Sequence, residues 1–227
     1  MQNRFVGSWL LYGAGNGYWN DRNGMGRLYA TRVASSDEPV RVDLEQGVDR
    51  IEPLGDNAIV VGGRGSDLVF SPIELTKGTA HAKRDYIRRN ASQGELRSHG
   101  FFYKDTAAKA GASRGMIGLP IRGEGARGSR YLTEGSASVL FLAENDLDLS
   151  ELGSLEASAI RSVNDGCRAS CVDWYGNARP IFVGNRIFAL MGYELVEGTV
   201  AKARLSERRR LEFAPQGGAP VTDEQDW

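Results

Sequence analysis

The chain of 227 residues is poor in cysteine and histidine, and the shortage bears on metal and redox chemistry. A zinc site at its two cysteines, Cys167 and Cys171, would need two more ligands, and the only histidines, His81 and His99, lie far away in sequence. The C-x3-C spacing is not the C-x-x-C of a thioredoxin-type centre. Two readings of the pair stay open: reduced thiols in a loop, or a Cys167–Cys171 disulfide in an oxidising compartment. No apolar run approaches the ~20 residues of a membrane span. Met1–Phe5 lacks the apolar segment and small-residue cleavage site of a signal peptide. With a net charge of −1 there is no electrostatic footing for nucleic acid or an anionic membrane as the main partner.

What is present is an ordinary globular composition, 41% hydrophobic and 25% charged, with 29 glycines against 7 prolines. Many glycines between short apolar runs are the punctuation of tight β-turns. The runs recur. Asn3–Gly7, Ser8–Gly13, Arg27–Val33 and Val40–Leu44 form one copy. Val48–Gly55, Asn57–Gly62, Asp67–Leu75 and a strand near His81–Ile87 form a second, starting about 45 residues later. A stretched third copy begins near Glu95–His99 and includes Phe101–Lys104, Gly115–Ile121 and Ala137–Leu142. Asn177–Gly184, Asn185–Gly192 and Glu194–Val200 open a fourth, with a last strand near Arg204–Phe213.

This spacing predicts an all-β, β-propeller-like fold of about four four-stranded blades, approximately 3–47, 48–94, 95–165 and 177–213. A loop falls at 164–176, and 214–227 reads as a disordered acidic tail. Continuous triplets such as Leu10-Leu11-Tyr12 and Ile59-Val60-Val61 suit strands covered on both faces, whereas Val40–Leu44 alternates like an outer strand. A β-sandwich is the competing parse.

Arg179-Pro180-Ile181-Phe182-Val183-Gly184-Asn185-Arg186-Ile187-Phe188-Ala189-Leu190 resembles the final blade of bacterial secreted proteins whose C-terminal propeller is distantly related to WD40 repeats. The block Ser98–Ile121 is similar to the blade before it. That resemblance implies an envelope or extracellular propeller with no established catalytic residues. It also makes this chain the C-terminal part of a larger ring, in a periplasmic or extracellular location, with a cytoplasmic protein as the alternative. On that view Phe5, Trp9 and Leu11 are more exposed than Ile187 and Phe188.

Several constellations invite chemistry. Gly13-Ala14-Gly15-Asn16-Gly17 looks like a phosphate loop, but no helix-forming run or Gly-Lys-Ser/Thr follows it. In the same loop Tyr18, Trp19, Asn20 and Asp21 combine stacking rings with hydrogen-bonding groups, as a sugar or peptide platform requires. Asp173, Trp174 and Tyr175, beside Asp165 and the cysteines, form a second candidate binding loop. Glu144–Glu151 carries alternating oxygen ligands but lacks EF-hand spacing, and reads as a solvated loop. Asp49, Arg50, His99 and Arg179 fall on or beside the innermost strands and are candidates to face a central channel. No nucleophile elbow marks a catalytic serine. The expectation is a non-enzymatic module that binds protein or carbohydrate at a cell surface without a cofactor or metal. A propeller-type hydrolase or lyase is the alternative, and an intracellular interaction scaffold is a third reading.

Overall fold

The computed structural model of the protein describes residues 1–15, 25–106, 113–123, 136–157 and 178–213. The described residues form four antiparallel sheets of four or five strands, a single 3-10 turn at Ser98–Gly100, and no α-helix. Among the described residues, no helix is long and apolar enough to cross a membrane.

The first sheet has β1 (Gln2–Val6), β2 (Trp9–Gly13), β3 (Gly26–Arg32) and β4 (Val40–Leu44) in sequential order. The second runs β5 (Arg50–Leu54), β6 (Asn57–Arg64), β7 (Asp67–Thr76) and β8 (Thr79–Ala82), with β9 (Tyr86–Arg88) also paired to β7. The third comprises β10 (Ala91–Gln93), β11 (Phe102–Asp105), β12 (Arg114–Gly123), β13 (Ser136–Asn145) and β14 (Asp148–Glu156). Its order is β10-β12-β13-β14, with β11 against β12. The fourth is β15 (Arg179–Val183), β16 (Arg186–Met191), β17 (Glu194–Ala201) and β18 (Arg204–Glu212), again in sequence.

Three expectations are corrected. The stretch His81–Ile87 is not one strand but the end of β8 and the start of β9. The third sheet begins at Ala91, ahead of Glu95, and Ser98–Gly100 turns instead of extending. Glu144–Glu151 is not a loop: it is the tip of the β13–β14 hairpin, with Asp146 and Leu147 both at positive φ, 50° and 65°. That backbone twist is what a two-residue hairpin needs.

The chain divides into two compact units. One holds Met1–Gln93, Tyr103–Ile117 and Leu142–Glu151; the other holds Gly94–Phe102, Gly118–Phe141 and Leu152–Trp227.

In the first unit the first and second sheets pack face to face in matching order, with β1 beside β5 and β4 beside β8. Between them lies a core of Val6, Trp9, Leu11, Leu28, Ala30, Val42, Leu44, Val48, Ile51, Ala58, Val60, Ile73 and Ala80. Period-two alternation puts these on one face of each strand, and each large aliphatic among them contributes roughly 1.5–3 kcal/mol by leaving water. The link 45–49 between the sheets is itself buried at Gln46, Gly47 and Val48. It leaves no room for side chains: a Cβ on Gly62 would stand 1.8 Å from the Gly47 carbonyl, and one on Gly26 2.1 Å from that of Gln46. Trp9 and Leu11 are 7% and 0% exposed, as deep as Ile187 and Phe188 at 7% and 9%. Only Phe5, at 62%, is open as expected.

In the second unit Gly118 abuts Pro180, and Phe182 meets Phe141 edge-on at 6.0 Å and Phe102 at 5.6 Å. Gly198 faces Leu155. These contacts lay the fourth sheet's Pro180–Phe182 face on residues of the third.

Candidate functional site

The best-defined candidate site of the first unit is built on the link 45–49. Its backbone is tied on both sides: Val48 N–H donates to Ala14 O, Asp49 N–H to Val61 O, and Gly47 N–H to Gly63 O. The Asp49 carboxylate accepts the Gly63 N–H at 3.0 Å. Its other oxygen lies 2.7 Å from where a Cβ on Gly15 would be. Gly15 and Gly26 therefore both rest on the link. They are the two feet of the segment that carries Tyr18, Trp19, Asn20 and Asp21. Those four residues lie outside the described residues, as do Cys167, Cys171, Asp173, Trp174, Tyr175 and the tail 214–227. At the rim, Arg64 pairs with Glu45.

Beside the link sits a buried ionic chain. Arg50, 4% exposed, donates to Glu52 at 2.9 Å and to the Gln93 side-chain carbonyl at 2.9 Å. Glu52, 5% exposed, also pairs with Arg4 from β1. The chain joins β1, β5 and β10. A buried guanidinium and carboxylate tolerate desolvation only when both are fully hydrogen-bonded, so Arg50 acts first as a structural cation. Asp49 and Arg50 are adjacent in sequence but hold different partners.

In the second unit, His99 lies in the 3-10 turn with its Nε2 3.5 Å from Glu95, and Glu95 is 5% exposed. The Arg97 N–H donates to the same carboxylate at 2.7 Å. β15, which carries Arg179, packs beside this turn. The Arg179 Nε is buried without a hydrogen-bond partner. At that distance the imidazole and the carboxylate form an ion pair only when the ring is protonated.

Two polar clusters were missed in the sequence. Glu144, 1% exposed, accepts from Tyr103 Oη at 2.8 Å, from Leu147 N–H at 2.8 Å and from Ser113. Burial first, and then the bond to Glu144, raises the Tyr103 pKa well above its ordinary value. Ser71, fully buried, donates to Asp85 at 2.6 Å and receives Gln46 Nε2 at 2.6 Å. Gln46 Oε1 is buried with no partner. The only signal available for either cluster was a lone polar residue within an apolar run: Ser71 in β7, Glu144 at the end of β13. Among the described residues, no group of three or more His, Cys, Asp or Glu could hold a metal ion.

No protein-family model, curated protein or solved structure matches the chain. The described residues make an all-β protein of four antiparallel sheets, each of about four strands.

Proposed function

We propose that this chain is a non-enzymatic, β-propeller-like binding module that recognises protein or carbohydrate through the connections at one end of its sheets. The observation that carries this reading is the seating of Gly15 and Gly26 on the buried link 46–49. A segment bearing Tyr18, Trp19, Asn20 and Asp21 thereby springs from a rigid base, as a recognition loop on a scaffold does. The face-to-face packing of the first two sheets in matching strand order is how neighbouring propeller blades stack. The resemblance at Arg179–Leu190 adds a bacterial envelope or secreted setting.

The test is a glycan array and a surface-protein panel probed with the chain, then repeated with Trp19→Ala and Tyr18→Ala. Ligand binding lost in both variants at unchanged melting temperature supports the reading; binding that survives both sinks it. The hydrolase alternative rests on the Glu95–His99 pair. Under the binding reading, His99→Ala leaves ligand affinity unchanged and no turnover of the bound ligand is detected.

A further inference from the structure

The hairpins that join the first two strands of the first, second and fourth sheets share one construction: Val6-Gly7, Leu54-Gly55 and Val183-Gly184 each place the glycine at positive φ, 55°, 59° and 56°. This fixes which residues are equivalent between sheets. Phe5, Pro53 and Phe182 occupy the same position one residue before the turn's apolar residue, and Val6, Leu54 and Val183 the next. Alternation along a strand sends the two positions to opposite faces.

Their burial separates the sheets. In the second sheet, Pro53 shares a face with Ile51 and Ala58, which lie in the core against the first sheet. In the fourth, Phe182 packs on Phe102 and Phe141. In the first, Phe5 is 62% exposed. Around it, on the same face, are Leu10 and Thr31, and a cross-strand row of Asn3, Tyr12, Tyr29 and Arg41. Tyr12 and Tyr29 stack at 5.4 Å. The other position behaves in the opposite way. Val6 is 2% and Leu54 0% exposed, whereas Val183 is 57% exposed. Beside Val183 stands Arg186, its guanidinium 4.7 Å over Phe188. Leu211, 54% exposed, continues that face.

Among the described residues, nothing covers this position in the first sheet as it is covered in the second and fourth. Among them, nothing covers the other position in the fourth sheet as it is covered in the first and second. Each open face is the type of face that the other open face normally meets. We propose that these two faces are one interface divided between copies, so that the first sheet of one molecule docks on the fourth sheet of a second molecule, head to tail. Such a contact is heterologous, using two different patches. It extends the packing already present between the first and second sheets, and it does not depend on the ligand-binding reading.

The experiment uses the full chain with Phe5→Asp and Val183→Asp, each made separately at an exposed site. Circular dichroism and melting temperature confirm folding. Thr31→Arg or Leu211→Asp replaces whichever variant fails. Mass by light scattering and sedimentation is expected to exceed the 24.7 kDa monomer for the unaltered chain and to fall to the monomer for each variant alone. Mixing the two variants is decisive. Phe5→Asp retains an intact fourth-sheet face and Val183→Asp an intact first-sheet face, so the mixture regains a 1:1 complex of twice the monomer mass. A monomeric unaltered chain, including one closed on itself, overturns the proposal. So do single variants that still associate, or a mixture that stays monomeric.

Discussion

At the scale of single residues, the buried ionic chain Arg4–Glu52–Arg50–Gln93 is the sharpest commitment of the fold. Arg50 is 4% exposed and Glu52 is its carboxylate partner. Removing one member of such a pair strands the other charge away from water, which costs about 3–5 kcal/mol. Glu52→Ala is therefore expected to lower unfolding free energy by about that amount in urea titrations. The double variant Arg50→Met, Glu52→Leu should recover most of the loss, because no fully buried charge is left unpaired and Arg4, with its side chain 40% exposed, can turn to water. A second residue-scale case is Ala203, exposed and at φ 56° in the β17–β18 turn. A left-handed backbone costs an L-residue with a Cβ roughly 1–2 kcal/mol that glycine does not incur. Ala203→Gly loses part of that gain to its freer unfolded chain. It should raise stability by about 0.5–1 kcal/mol, measured by the denaturation midpoint.

Little of this was readable in advance. Asp49, Arg50, His99 and Arg179 were singled out because they fall beside strand starts, and their partners were invisible. Arg4 and Glu52 are 48 residues apart and Arg50 and Gln93 are 43 apart. What joins them is which sheet lies on which, and hydrophobic alternation within a strand does not encode that.

At the scale of elements, strands bounded by glycine were legible and polar hairpin tips were not. Gly7, Gly55 and Gly184 announce their turns, because each holds positive φ without a side chain to strain. The β13–β14 tip does the same work with Asp146 and Leu147, so Glu144–Glu151 reads from the sequence as a solvated loop. It is held by the Leu147 N–H bond to Glu144, by the burial of Leu147, and by Asp146 N–H to Ser113 O. The last strand near Arg204–Phe213 was legible, and its ion pairs were not. As β18 it sets Arg208 on Glu197, and Arg210 on Glu194 and Glu207.

Glu197 gives this element a pH signature. The two-pronged hydrogen bond from Arg186, and then the charges of Arg186, Arg208 and Arg209, hold its carboxyl below the ordinary glutamate value. A carboxyl lowered in the folded state contributes stability that is fully present above its unfolded value, about 4.3, and is lost as pH falls through the folded value. Stability of the chain should therefore decline on the acid side of pH 4.3 or so. Glu197→Gln should lower the melting temperature at neutral pH and flatten that acid limb. A melting curve series from pH 7 down to pH 3, showing the same acid limb in both proteins, would remove Glu197 from the account.

At the scale of the whole molecule, the repeat count was legible because each sheet is made from consecutive strands. Short-range pairing of this kind leaves its period in the sequence. The expectation that the first sheet would be the weakly packed one was not met, and the reason is that a sheet has two faces. Its outward face is open at Phe5, but its inward face carries Trp9, Leu11, Leu28 and Ala30 into a core with the second sheet. Protection from solvent should then follow a strand's place within its sheet, not the order of sheets along the chain. Central strands hydrogen-bond on both sides, and exchange of their amides needs larger openings than fraying of an edge. We expect β2, β3, β6, β7, β16 and β17 to exchange slowest and to a similar degree, with β1, β4, β15 and β18 faster. Hydrogen exchange read by mass spectrometry at peptide resolution distinguishes the two patterns. Uniformly fast exchange across β1–β4, with slow exchange across β15–β18, would mean that one packed face is not enough to secure a sheet. The core between β1–β4 and β5–β8 would then be weaker in solution than the depth of Leu11 and Leu28 implies.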